Sequence, residues 1–212
     1  RRRGAQFIRA IEREFPGVHF MTLFQLSVLS PLLRSMDPRE RAQKLSQHHY
    51  GLLPAFFNGM LEAASDKVIF TDGNESAYYY TESEQHFSAY HRITQRALLL
   101  VYPGLWPKYR RQVRAGQALY IDQYFGLRKR KVLGHYMKPD ERAKWFEHNV
   151  YWALYTTDKY VWCYSERMNW WKGQNIPPGC EEAIRSARRK LASGQGLGFD
   201  LRPIIEAAKA RE

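Results

Sequence analysis

The sequence predicts an α/β fold, a parallel sheet covered by helices, and three observations carry this reading. Apolar segments of strand length recur along the chain at 18–24, 67–71 and 160–164, with a further candidate at 118–122. Longer segments with helical spacing lie between them, so strands and helices alternate. The connections run to roughly 35 residues or more, long enough for the crossover that a parallel pair needs. Neither Gly-x-Gly-x-x-Gly nor Gly-x-x-x-x-Gly-Lys follows any of these strands, which leaves a doubly wound nucleotide-binding sheet without support. Three or four βα units in 212 residues fit instead a parallel-stranded partial TIM barrel, about half of a (β/α)8 barrel.

The elements follow in order. A helix is expected at about 4–15, with Phe7, Ile8, Ile11 and Phe15 on one side and Arg9, Glu12, Arg13 and Glu14 on the other; Pro16-Gly17 stops it. The run 18–24 is β-branched and aromatic, and too apolar for a half-exposed edge, so His19 within it reads as a packed residue. Asp37-Pro38-Arg39-Glu40 supplies an N-cap, a proline at the first helical position and an acid three residues after the cap. That helix extends to about residue 64, with a kink or restart at Pro54. After the strand at 67–71, Thr81-Glu82-Ser83-Glu84 is a capping box opening a helix to about residue 101. Tyr102-Pro103-Gly104 breaks the chain, and 105–115 reads as helical and basic. Residues 118–122 are either a third strand or the end of that helix, because periodicity does not decide. Pro139 opens a helix to about 155, and 160–164 has strong β propensity. Pro177-Pro178 precedes a basic helix at 179–192; Ser193-Gly194-Gln195-Gly196 reads as a linker and 203–210 as a terminal helix. The expected division is residues 1–192 as the partial barrel and 193–212 as linker and short terminal helix.

Composition narrows the classes. Apolar residues at 44% and charged residues at 25% are near the globular average, which argues against disorder. The longest purely apolar stretches, such as 97–101, fall far short of the roughly 18 residues of a membrane span. Cys163 and Cys180 are too few for a disulfide framework and read as free core thiols. The charge balance, 33 − 21 = +12, admits a polyanion partner. The basic residues are scattered, however, over Arg1 to Arg3, Lys108 to Arg114, Arg128 to Lys131 and Arg185 to Lys190, and no specific nucleic-acid motif accompanies them. They read as solvated helix faces. The chain opens on Arg-Arg-Arg-Gly already inside an amphipathic pattern, so it is expected to be a fragment of a larger catalytic domain.

In parallel α/β folds ligands bind on the loops that follow the strands. Those loops carry Asp72, Asn74, Glu75, Tyr78 and Tyr79 after the second strand candidate, Asp122 after the third, and Glu166, Arg167, Asn169, Trp170 and Trp171 after the last. Glycoside hydrolysis needs two carboxylates facing one bond, one protonated and one ionised. It also needs flat aromatic faces, since sugar rings present C–H surfaces. Asn and Arg hydrogen-bond hydroxyls and hold a nearby carboxylate ionised. Structural alternatives stay open: Asp72 before Gly73 as a turn residue, Glu166 with Arg167 as an ion pair, Trp170 and Trp171 as a cap. Tyr78, Tyr79 and Tyr80 cannot all face one way, so at least one is structural. His48 and His49 adjoin on a helix and point to different faces, and His86 and His91 are poorly spaced for one face; no metal site is expected.

Tyr160-Val161-Trp162-Cys163-Tyr164-Ser165-Glu166, followed by Asn169-Trp170-Trp171, resembles the last barrel strand of glycoside-hydrolase-like (β/α)8 proteins, and Ile69-Phe70-Thr71-Asp72-Gly73-Asn74-Glu75 resembles an earlier strand end of the same fold. The resemblance covers roughly residues 5–190, as the carboxy-terminal half of a barrel. It implies a carbohydrate substrate and Glu166 as catalytic carboxylate. With it, Asp72 or Glu75 is expected as the partner acid, and Asn74, Tyr78, Tyr79, Asp122, Arg167, Asn169, Trp170 and Trp171 as substrate-binding residues, with no cofactor. The rival expectation is a non-catalytic barrel module binding polysaccharide or another anionic polymer. The carbohydrate reading implies a secreted or periplasmic protein, and a half-barrel implies self-association through open sheet edges.

Overall fold

Two parallel ladders organise the chain, whose structure is a computed structural model describing residues 1–212. One ladder has the order β1 (His19–Thr22), β2 (Ile69–Asp72), β3 (Val113–Ala115); the other pairs β4 (Gln117–Tyr120) with β5 (Val161–Tyr164). Every pairing is parallel, as the alternation of strand and helix predicts, and the architecture is α/β. The ladders belong to two compact units: residues 1–74, 88–116 and 158–160, and residues 75–87, 117–157 and 161–212.

In the first unit the sheet is covered by α1 (Arg2–Glu14) and α3 (Leu53–Ala63), which follows α2 (Pro38–Gln47). Asp37 caps α2 as expected, its side chain accepting from the Arg39 N–H. The helix does not run through to residue 64. It ends at Gln47, and Pro54 sits in the first turn of α3, where its missing N–H costs nothing. The helices α1 and α3 cross closely because glycine faces backbone at the crossing: a Cβ on Gly4 would lie 1.9 Å from the Phe56 carbonyl oxygen. Ile8, Phe57, Leu61, Val68, Phe70, Ile93 and Val113 fill the core beneath.

Several expectations for this unit change. β1 is an edge strand, in keeping with the open sheet edges expected of a half-barrel, but its His19 and Met21 are exposed although the run reads as too apolar for that. His19 is not packed; its Nδ1 lies 3.1 Å from the Tyr160 hydroxyl. α4 (Ser83–Thr94) stops short of residue 101, and a 3-10 segment, Arg96–Leu100, follows. Asn58 holds that segment, donating to the Leu100 carbonyl at 2.9 Å and accepting from the Tyr102 N–H at 2.8 Å. The basic helix α5 (Trp106–Gln112) likewise ends early, and 113–115 is strand. His48 and His49 lie beyond α2, with rings stacked 4.5 Å apart rather than on opposite faces.

In the second unit residues 117–120 are strand, which settles the ambiguity at 118–122. The short α6 (Ile121–Tyr124) follows, then α7 (Pro139–Tyr155), α8 (Cys180–Ala192) and α9 (Arg202–Ala210). Trp145, Phe146, Val150 and Ala153 from α7 pack with Cys180, Ala183 and Ala187 from α8. The terminal residues join this core: Leu197, Leu201, Ile205 and Ala208 are buried in it, so 193–212 packs with α7 and α8. Cys180 is the free core thiol that was expected; Cys163 is free but exposed.

Candidate functional site

Register brings the aromatic residues of the second unit together. Tyr120 and Tyr164 are paired residues at the carboxyl ends of β4 and β5, so their side chains share a face, and their rings lie 5.3 Å apart. Tyr78 comes from the 3-10 turn Glu75–Tyr79 and stacks on Tyr164 at 6.0 Å and 13°, with its ring 4.9 Å from Tyr120. Trp162, two residues before Tyr164 and hence on the same face of β5, lies 5.4 Å from Tyr78. Tyr78 and Tyr120 are buried, while Tyr164 remains 40% exposed and opens the cluster to solvent.

Glu166 borders this cluster. It lies two residues beyond β5, is exposed, and its Oε1 accepts from the Tyr120 hydroxyl at 3.0 Å. Burial, with the Glu166 hydrogen bond added, holds the Tyr120 hydroxyl above its ordinary range. Burial and the Glu75 charge do the same for Tyr78, so both phenols stay protonated and can donate. Arg128 lies over the Tyr120 ring, 5.3 Å from its centroid. The Glu166–Arg167 ion pair allowed by the sequence does not form; the carboxylate bonds the tyrosine instead.

Asp122 holds the loop that carries Glu166. Its carboxylate is fully buried in the first turn of α6, accepts from Ser165 Oγ, and accepts from the Glu166 N–H at 2.9 Å. Ser165 Oγ accepts in turn from the Met168 N–H at 2.9 Å. Asp122 is thus enclosed and acts on Glu166 through the backbone. Asp72 does the corresponding work in the first unit. It is buried, and its carboxylate accepts from Ser27 Oγ, from the Ser27 N–H at 2.9 Å and from the Asn74 N–H at 3.1 Å. Desolvation raises its pKa although these donors oppose the rise. In both units an aspartate after one strand fastens a serine from the loop after the neighbouring strand.

The other residues named from sequence are distributed as follows. Asn74 is buried in the first unit with φ 46°, a turn conformation that asparagine tolerates. Glu75 opens the Tyr78 turn in the second unit. Tyr79 is exposed and Tyr80 buried, so the three tyrosines do divide. Asn169 caps a short 3-10 turn, its side chain accepting from the Lys172 N–H. In that turn both tryptophans are exposed, and Trp171, at 98%, caps nothing. Sequence reasoning missed Tyr120, Tyr164, Ser165 and Ser27. Tyr120 and Tyr164 carried a signal, each being the last aromatic of a strand; the serines carried none. No group of three or more His, Cys, Asp and Glu side chains is placed to hold a metal ion.

Comparisons with protein families, curated proteins and solved structures give no match.

Proposed function

We propose that the chain is carbohydrate-active, part of a (β/α)8 barrel in which Glu166 is the working carboxylate and the exposed ring of Tyr164, backed by the buried Tyr78 and Tyr120, is the sugar-stacking face. Parallel pairing of strands in chain order within each ladder supports the barrel reading. The observation that carries the functional reading is the Tyr120–Glu166 hydrogen bond at the edge of an aromatic cluster, at the carboxyl ends of parallel strands. An exposed carboxylate beside a ring face is what glycoside chemistry requires, and the Tyr120 hydroxyl fixes the position of the Glu166 carboxylate. Glu75, whose charge acts on Tyr78, is the partner acid of this reading; Asp72, enclosed and with its oxygens occupied, serves structure.

The test is release of reducing ends from a panel of soluble polysaccharides by the wild-type chain and by Glu166→Gln. Activity in the first and loss of at least about 10²-fold in the second support the assignment. Equal activity in both sinks Glu166 as a catalytic residue. A chain that neither cleaves nor is retarded by any polysaccharide in affinity gels sinks the carbohydrate reading.

One observation favours the alternative, a non-catalytic module for an anionic polymer. Arg128 sits on the Tyr120 ring beside Glu166's partner hydroxyl, and no residue from Arg128 to Lys131 forms an ion pair. Retardation by an anionic polysaccharide that survives Glu166→Gln and is lost in Arg128→Gln supports it.

A further inference from the structure

The first unit contains a cleft of about 460 Å³ between α2, α3 and the segment 98–106, within the roughly 300–1,000 Å³ range of small-molecule sites. Its walls are mostly apolar, and one charged side chain enters them: Arg41 of α2, only 9% exposed. The guanidinium makes one hydrogen bond, to the Ser35 carbonyl at 2.9 Å, and no acid pairs with it. The nearby Glu40 is committed to Lys44 and Ser35. A guanidinium has five N–H donors, and the nitrogens that Arg41 leaves unpaired are open to solvent rather than sealed in the core, so a ligand can reach them.

The other polar groups of the cleft are spent. Asn58 uses both its amide atoms on Pro54, Leu100 and Tyr102 backbone. Trp106 Nε1 donates to the Leu98 and Val101 carbonyls, so those oxygens are covered and the indole adds apolar wall. What remains is one forked cation in a greasy cleft. We infer that this cleft binds a small monocarboxylate with an apolar body, of the medium-chain fatty-acid type. A single guanidinium matches a carboxylate bidentately, and leucine, alanine and tryptophan walls take the hydrocarbon. A phosphate or a sugar acid would need more donors than the cleft offers.

The experiment titrates the full chain with octanoate, below its micelle concentration, with octan-1-ol and with acetate. Octanoate should bind one per chain and raise the Tm; octanol should be weaker by at least about tenfold for want of the charge-assisted pair, and acetate weaker by at least about tenfold for want of the buried hydrocarbon. Arg41→Gln should bring octanoate down to the level of octanol. Ala55→Phe, which fills the cleft and keeps Arg41, should lose both ligands while circular dichroism is unchanged. Octanoate binding no tighter than octanol to the wild type overturns the inference, as does octanoate binding that survives Ala55→Phe. These outcomes stand even where Arg41→Gln fails to fold.

Discussion

The Tyr120 hydroxyl donates to Glu166 Oε1 at 3.0 Å across paired ends of two parallel strands. The register that aligns Tyr120 with Tyr164 makes the contact, since Glu166 follows Tyr164 by two residues and so returns to the same side. Tyr120→Phe keeps the ring in its stack and removes only the donor. If Glu166 acts as proposed, the expected result is a loss of roughly 1.5–3 kcal/mol in the step that uses it, the usual worth of a hydrogen bond to a charged group. Its mark is slower polysaccharide cleavage with the ring packing, and so the near-ultraviolet circular dichroism, retained. Unchanged cleavage removes Tyr120 from the mechanism.

Asp122 and Asp72 predict a contrast with Glu166. Each is buried and fastens a serine loop through two or more donors, so Asp122→Ala leaves the Ser165 hydroxyl and the Glu166 N–H without their acceptor. The expected cost is about 1–3 kcal/mol for each buried group left unsatisfied, read as a lowered Tm. Asp72→Ala should behave alike through Ser27. Glu166→Gln, with an exposed side chain, should leave Tm nearly unchanged. A Tm drop in Glu166→Gln as large as that of Asp122→Ala contradicts this division of labour.

The helix crossing supplies a third prediction. Gly4→Ala places a methyl group 1.9 Å from the Phe56 carbonyl oxygen and 3.0 Å from the Met60 nitrogen, both backbone atoms that cannot rotate away. α1 must shift off α3, at an expected cost of about 1–3 kcal/mol, the range for overpacking. Ala outranks Gly as a helix former, so propensity alone predicts stabilisation. Urea unfolding decides the sign, and a more stable Gly4→Ala would mean that the crossing yields.

Legibility in the sequence followed physical range. Local signals were readable: the Asp37 cap, Pro139 at the start of α7, and the apolar runs that became β2 and β5 all depend on residues a few positions apart. Helix ends set by distant partners were not. α4 stops at Thr94, and the following segment is held by Asn58, some forty residues earlier, which no periodicity encodes. The tail after Ser193 looked like a linker because glycine and serine precede it, yet four spaced apolar residues make it core. At the candidate site, residue types pointed to strand ends but not to which acids stay open. Asp72, Asp122 and Glu166 all lie at or within two residues of a strand's carboxyl end, and burial separates the two clasps from the exposed carboxylate.

The last prediction concerns acid stability. His86 and His148 lie in the second unit, both buried, with their Nδ1 atoms lacking any partner. Burial is the main cause that lowers His86 to about 3 and His148 to about 4; the Asn149 hydrogen bond to His86, and the charges of Glu84 and Asp200 near His148, oppose it only in part. In the unfolded chain both imidazoles titrate near 6.5. Between about pH 6.5 and their folded values the unfolded chain therefore binds more protons, and stability rises with pH across that window. The contribution is fully present above pH 6.5 and is lost as pH falls toward 4. At about 1.36 kcal/mol per tenfold change in proton affinity, the two together are worth several kcal/mol. Asp72 acts with the opposite sign: burial raises its folded pKa, so the folded state takes up that proton first and offsets part of the loss at acid pH. Tm measured from pH 7.5 to 4.5 should fall steadily below 6.5, and His148→Phe, which keeps a ring in place but cannot titrate, should flatten that fall. A wild-type Tm constant over the range, or a His148→Phe curve parallel to it, excludes His148 as a source of the acid lability.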